Sequence, residues 1–229
     1  MLLVVGSSSV LKSSQGELNY SRLCRLLISI GSRVLRDTFD SIIPPENLRE
    51  FLKRDPAHSR LQLLRKKGVL SSVYWSKLLS ATPTEVSSAS FDIPLLIVLL
   101  RTICNLSSPP AGWDIPPLTA DTSRECDIAR IKYFMNALCK HATEGSVNDT
   151  VFRSYWQQIC NTLVRLGGAD YEDLIDEFKD QEIEFLDEEH FRELLKQLKK
   201  EEDDIRDRLN EVESEEAAKE KGMLYSRPC

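Results

Sequence analysis

The chain has 229 residues, of which 41% are hydrophobic, 29% charged and 7% aromatic, a balance that excludes a collagenous, disordered or disulfide-scaffold protein. A chain of this length buries on the order of 70% of its unfolded surface and needs no disulfide or metal to hold it. The net charge of −6 conceals an asymmetry, because residues 1–169 carry 20 Lys and Arg against 14 Asp and Glu, whereas residues 170–229 carry 10 against 22. A basic body followed by an acidic extension suggests two segments with different jobs.

Residues 1–18 read as a loose leader of serines and small residues. They lack the basic start and the apolar core of a secretory signal. No stretch approaches the ~20 apolar residues of a membrane span. A soluble, cytoplasmic protein without membrane contact is expected. A helix follows over Asn19–Asp40, with Leu23, Leu26, Leu27, Ile30 and Val34 as its apolar stripe and Asn19 or Ser21 as candidate caps. Pro44 and Pro45 end it and open the next, Glu46–Lys53. Shorter helices are expected over Ser59–Lys67 and Ser71–Leu79. Asp92–Asn105 is apolar nearly all round, the pattern of a central buried helix.

After a proline-rich loop, the spacing predicts helices over Ser123–His141 and Asn148–Leu166, the second closed by Gly167 and Gly168. Tyr171–Phe178 reads as a short acidic helix and Glu188–Lys221 as a long charged one. In the latter, Leu194, Leu198, Ile205, Leu209 and Val212 form a thin seam, broken by the acids at 201–204 and too short for a stable coiled coil. Period-2 strands, internal repeats and Gly-rich phosphate loops are absent. The class is all-α: a helical bundle over residues 19–168, then a charged helical extension or linker over 169–229.

Arg22, Arg25, Arg33 and Arg36 recur along the first helix, within about 80° of one another at regular α-helical spacing. Such a row is either an ordinary solvated face or a surface for a partner, RNA or the chain's own acidic extension. Arg65, Lys66 and Lys67 make a second, short basic cluster. The six cysteines contain no Cys-x-x-Cys pair, which removes common zinc, RING and redox spacings and leaves buried free thiols as the better reading. The histidines are scattered, and neither a metal site nor a cofactor is expected. Around the helix Ser123–His141, the groups that bear chemistry are Arg130, Lys132, Lys140 and a terminal His141. A histidine at a helix C-terminus tends to hold its proton. Near a cation it would suit proton transfer at a phosphodiester; on residues alone an amphipathic core helix explains the segment equally well.

Residues 127–134 (Asp-Ile-Ala-Arg-Ile-Lys-Tyr-Phe), Asn136, His141-Ala142, 146–152 (Ser-Val-Asn-Asp-Thr-Val-Phe), Tyr155-Trp156 and 163–168 (Leu-Val-Arg-Leu-Gly-Gly) together resemble one subfamily of HEPN domains. It is named for a DAZ-interacting RING ubiquitin ligase. Shorter matches at 61–67, 91–96, 112–114 and 122–124 extend the resemblance over about residues 19–168. Residues from Leu194 onward resemble the helix that usually follows the domain. The resemblance implies a helical bundle that forms homodimers and often binds RNA. Active members cut RNA without metal through an Arg-x(4–6)-His motif, commonly with a polar residue after the Arg. Carried over, the polar residue is Asn136 and the histidine His141, but the arginine position holds Met135. Arg130 lies about 16 Å before His141 along a helix axis, and Lys132 one turn before Met135. Methionine supplies neither fixed charge nor forked donors to a phosphate. A non-catalytic module for dimerisation and protein or RNA binding is therefore expected. Arg22, Arg25, Arg33, Arg36, Arg130, Lys132 and Lys140 are its candidate contacts, with the acidic extension offering a surface to a protein partner. The alternative is a weak metal-independent endoribonuclease using Asn136 and His141, with Lys132 or Arg130 as an imperfect clamp. Relatives that carry the domain ahead of other modules are thought to act in innate immunity. Ligase activity belongs to a RING finger, for which this sequence lacks the cysteine spacing.

Overall fold

The computed structural model describes residues 14–80, 82, 86–180 and 185–225. Its first helix starts earlier than its apolar stripe. The Ser14 hydroxyl accepts from the Glu17 N–H and the Glu17 carboxylate accepts from the Ser14 N–H at 2.7 Å, a reciprocal cap. Helix α1 (Gln15–Arg25) therefore takes in the end of the expected leader, whose first thirteen residues lie outside the described residues. Asn19 and Ser21, the candidate caps, are buried inside it. The Asn19 amide instead donates to the Val147 carbonyl at 3.2 Å and to the Asp149 carboxylate at 2.7 Å.

A π-helical turn (Leu26–Gly31) carries α1 into α2 (Ser32–Ile42) without a break. Helices α3 (Pro45–Lys53), α4 (Ala57–Lys66) and α5 (Ser72–Leu78) follow, with α3 packed on α4. A single 3-10 turn, Ser88–Ser90, leads to α6 (Ile93–Thr102), whose first eight residues are all buried. Asp92 caps α6 by accepting from the Leu95 N–H, and Pro94 sits in its first turn, where no amide donor is needed.

Helices α7 (Arg124–Lys140) and α8 (Asp149–Gly167) form a hairpin packed on α1 and the π turn. Ser123 and Asn148 cap them, and Gly168, at a φ of 97°, ends the second. Helix α9 (Asp170–Asp180) folds back on α8 and the π turn. Helix α10 (Phe185–Tyr225) runs along α1, α7 and α6. No strand occurs among the described residues, so the all-α expectation holds.

The extension is not a separate body. Leu195, Ile205, Leu209 and Val212 of α10 and Tyr171 and Ile175 of α9 belong to the same buried cluster as α1, α6 and α7. Of the expected seam, Ile205, Leu209 and Val212 are buried against the domain and Leu198 partly so, while Leu195 rather than Leu194 fills its first position. The five described cysteines are free, and burial pushes the Cys24, Cys104 and Cys139 thiols up to about 12, which keeps them protonated.

Candidate binding face along α7

Helix α7 turns its motif residues to different sides. Met135 is completely buried in the core. Asn136 is half-buried, and its Oδ1 is shielded from solvent with no donor. His141 closes the helix; its N–H donates to the Leu138 carbonyl at 3.0 Å and its carbonyl accepts from the Gly145 N–H at 2.8 Å. The position that would hold the motif arginine thus faces inward.

The two neighbouring cations are also unavailable, contrary to the expectation of a phosphate clamp or RNA contact. Arg130 and Lys132 are both buried. The Arg130 guanidinium donates to the Asp127 carboxylate at 2.6 Å and to the Leu118 and Asp121 carbonyls. Asp127 also receives both Arg165 donors, at 2.9 and 2.6 Å, tying α8 to α7. Lys132 pairs with Asp114 and lies 3.1 Å from the buried Glu202 carboxylate of α10. Burial works to raise the Asp114 carboxyl, but the hydrogen bonds from Lys132 and Asn210 and the charges of Lys132 and Arg101 outweigh it and hold it below the usual range. Each such buried charge keeps a counter-charge because an unpaired one is costly.

The arginine row of the first helix does not survive as a row. The π turn carries about one extra residue relative to α geometry, so Arg33 and Arg36 swing back by about 100° and the four fan over about 140°. Arg25, half-buried, packs over the Phe178 ring of α9 at 4.3 Å, and Arg33 lies over Tyr171 at 5.8 Å while staying exposed. Arg36 donates to the Ser88 and Phe91 carbonyls at 2.9 and 3.3 Å, bracing the entry to α6. Arg22 is half-buried, and its Nε has no hydrogen-bond partner. In the second basic cluster Arg65 donates to the Leu70 carbonyl at 2.9 Å and Lys67 pairs with Glu215 at 2.6 Å, while Lys66 is exposed. Of the expected contacts on α7, only Lys140 is exposed, and it has no partner among the described residues.

Sequence reasoning missed the loop that precedes α7. Two clefts, of about 270 and 190 Å³, flank it, and Pro116 and Tyr133 line both. Lys132, Asn136 and Lys140 line the larger one; His141 does not. Along this edge Ile115, Leu118 and Tyr133 are 58%, 72% and 37% exposed. The proline-rich composition of 109–117 marked a loop, but only the fold shows which of its side chains point outward. Among the described residues, no three metal-binding side chains converge. No described helix is long and apolar enough to cross a membrane.

Residues 45–191 match the family model described as DZIP3/hRUL138-like HEPN. The chain is 27% identical over 177 residues to the human protein named E3 ubiquitin-protein ligase DZIP3, a stretch covering 72% of this chain and 14% of that protein. The mouse protein of the same name is 26% identical over 177 residues, with the same coverage. The chain thus spans a small part of the length of these relatives, and no solved structure matches it. With an all-α bundle, the α7–α8 hairpin and a family match over more than half its length, the chain belongs to the DZIP3/hRUL138-like HEPN family.

Proposed function

We propose that this HEPN module is non-catalytic and acts by dimerising and by binding a macromolecular partner, protein ahead of RNA. The observation that carries the reading is position 135. A methionine buried in the core occupies the place of the motif arginine, Arg130 is committed to the buried Asp127 carboxylate, and Lys132 to Asp114 and the buried Glu202 carboxylate. None of these three positions offers a free cation to stabilise a phosphodiester transition state, which is usually the largest contribution such a site makes. Protein is favoured over RNA because Arg25 and Arg36 are already engaged within the chain, which leaves no row of free arginines on the first helix. The exposed carboxylates of α9 and α10 offer a second, acidic surface to a protein. A cytoplasmic place in innate-immune signalling belongs to the proposal on the strength of the resemblance alone. Ligase activity, part of the printed name of the relatives, is not proposed, because the matched stretch is 14% of their length.

The test is incubation of the purified chain with labelled single-stranded RNA in chelator, beside His141→Ala. Equal, background cleavage in both is expected. Cleavage that vanishes in His141→Ala overturns the reading in favour of a weak ribonuclease. Light scattering should give twice the 26.1 kDa chain mass; a monomer at every concentration removes the dimerisation part.

A further inference from the structure

We infer that the face made by the 113–119 loop and the outer edge of α7 binds a short peptide segment of a partner protein that combines apolar with acidic side chains. This rests on the reading of the chain as a binding module and names the ligand class of that module.

An exposed leucine by itself needs no explanation. Here Ile115 and Tyr133 line the larger cleft with Pro116, which also borders the smaller one, and Leu118, 72% exposed, follows in the same loop. They are held outward by a loop tied down along its length. Trp113 is buried, with the Arg101 guanidinium over its ring at 5.9 Å. Asp114 is held by Lys132 and, at 2.9 Å, by Asn210. The Leu118 and Asp121 carbonyls are held by Arg130, which Asp127 in turn fixes. A loop pinned in this way cannot collapse to cover its own apolar side chains, so little ordering is left for a ligand to impose.

The polar groups of the edge narrow the ligand. Asn136 lines the larger cleft, and with its oxygen shielded its amide NH2 end is the one that can donate to a peptide carbonyl. Lys140, exposed and unpaired among the described residues, calls for a carboxylate. A polynucleotide fits less well, because it needs several free cations along its backbone. Arg130, Arg165, Lys132, Lys199 and Arg206 around the same clefts each already hold a carboxylate.

The experiment is selection of a random peptide display library on the immobilised full chain, followed by fluorescence anisotropy of the enriched synthetic peptide. Two surface variants, Leu118→Asp and Lys140→Glu, serve as controls, each first shown to keep the wild-type melting temperature. Peptides joining apolar residues to Asp or Glu should be enriched. Leu118→Asp should weaken them by about tenfold or more. Lys140→Glu should shift the selected sequences from acidic to basic at one position, a change that a merely structural role would not produce. No enrichment, basic peptides on the wild type, or affinity untouched by Leu118→Asp overturns the inference. So does an oligouridine that binds through Lys140 where the peptides fail, or a dimer that Leu118→Asp dissolves, which would make this edge a self-contact. None of these results bears on His141-dependent cleavage, so failure here is distinguishable from failure of the non-catalytic reading.

Discussion

Lys132→Met tests whether the buried charge network fixes the 113–119 loop and α10 to the body. The ammonium group sits between Asp114, whose side chain is 28% exposed, and Glu202, whose side chain is 4% exposed. Methionine keeps most of the side-chain bulk and removes the charge. Deleting one partner of a buried pair costs about 3–5 kcal/mol, because the other charge is left behind. The lower end applies here. Asp114 retains Asn210 at 2.9 Å, and Glu202 retains Lys199 at 3.4 Å and Arg206 at 3.8 Å. A loss of about 3 kcal/mol corresponds to a melting temperature lower by roughly 6–12 °C for a chain of this size. The double variant Lys132→Met/Glu202→Gln should lose less than the sum of its single variants, since the stranded charge is gone. The pH dependence has a definite sign. The folded-state pKa of Asp114 lies below its unfolded value, so the carboxylate stabilises the fold above about pH 4 and loses that contribution as pH falls through the folded value. In Lys132→Met that step moves to higher pH. Thermal and urea unfolding followed by circular dichroism from pH 2 to 7 reads all three. A single variant costing less than about 0.5 kcal/mol, the range of an ordinary surface substitution, refutes the reasoning.

Two further substitutions probe position 135 and the last helix. Met135→Arg restores the motif residue at a completely buried site and should destabilise by several kcal/mol without creating RNA cleavage. A variant with wild-type urea midpoint and His141-dependent cleavage would show that this position opens onto a working site. Leu209→Ala, at a residue 2% exposed on α10, should cost about 2–5 kcal/mol with an unchanged urea slope. A cost below about 0.5 kcal/mol would mean that α10 is not docked on the body.

Helix positions were legible because apolar spacing and end signals agree along most of the chain. Asp92, Ser123 and Asn148, where these helices are expected to begin, prove to be their caps, and Gly168 stops α8. The start of α1 was missed for a physical reason. Its first turn is polar and faces away from the core, so its signal is the Ser14–Glu17 pair rather than the apolar stripe. The arginine row was misjudged because a helical projection assumes one angle per residue, and the π turn at Leu26–Gly31 breaks that assumption. The site itself was only partly legible. Met135, Asn136 and His141 were placed from the motif, but the burial of Arg130 and Lys132 depends on Asp114, Asp127 and Glu202, two of them remote in sequence. A cation on a helix says nothing about its counter-ion until the fold supplies one.

The charge asymmetry shows how composition and structure combine. A basic body and an acidic extension read as two segments with different jobs, yet the carboxylates of α10 meet the cations of the body directly. Glu213 takes Arg101 at 2.5 Å, Glu215 takes Lys67 at 2.6 Å, Glu216 takes Arg60, and Glu202 takes Lys132 at 3.1 Å. The positive excess of residues 1–169 is therefore largely consumed in holding the last helix. What faces solvent from α9, including Asp170, Glu172, Asp173, Asp176 and Glu177, is acidic. A polyanion approaching this chain meets an unfavourable field over that surface. The α7 edge around Lys140 differs in combining an unpaired cation with exposed Ile115 and Leu118, a pairing that favours an acidic, apolar protein segment over a nucleic acid.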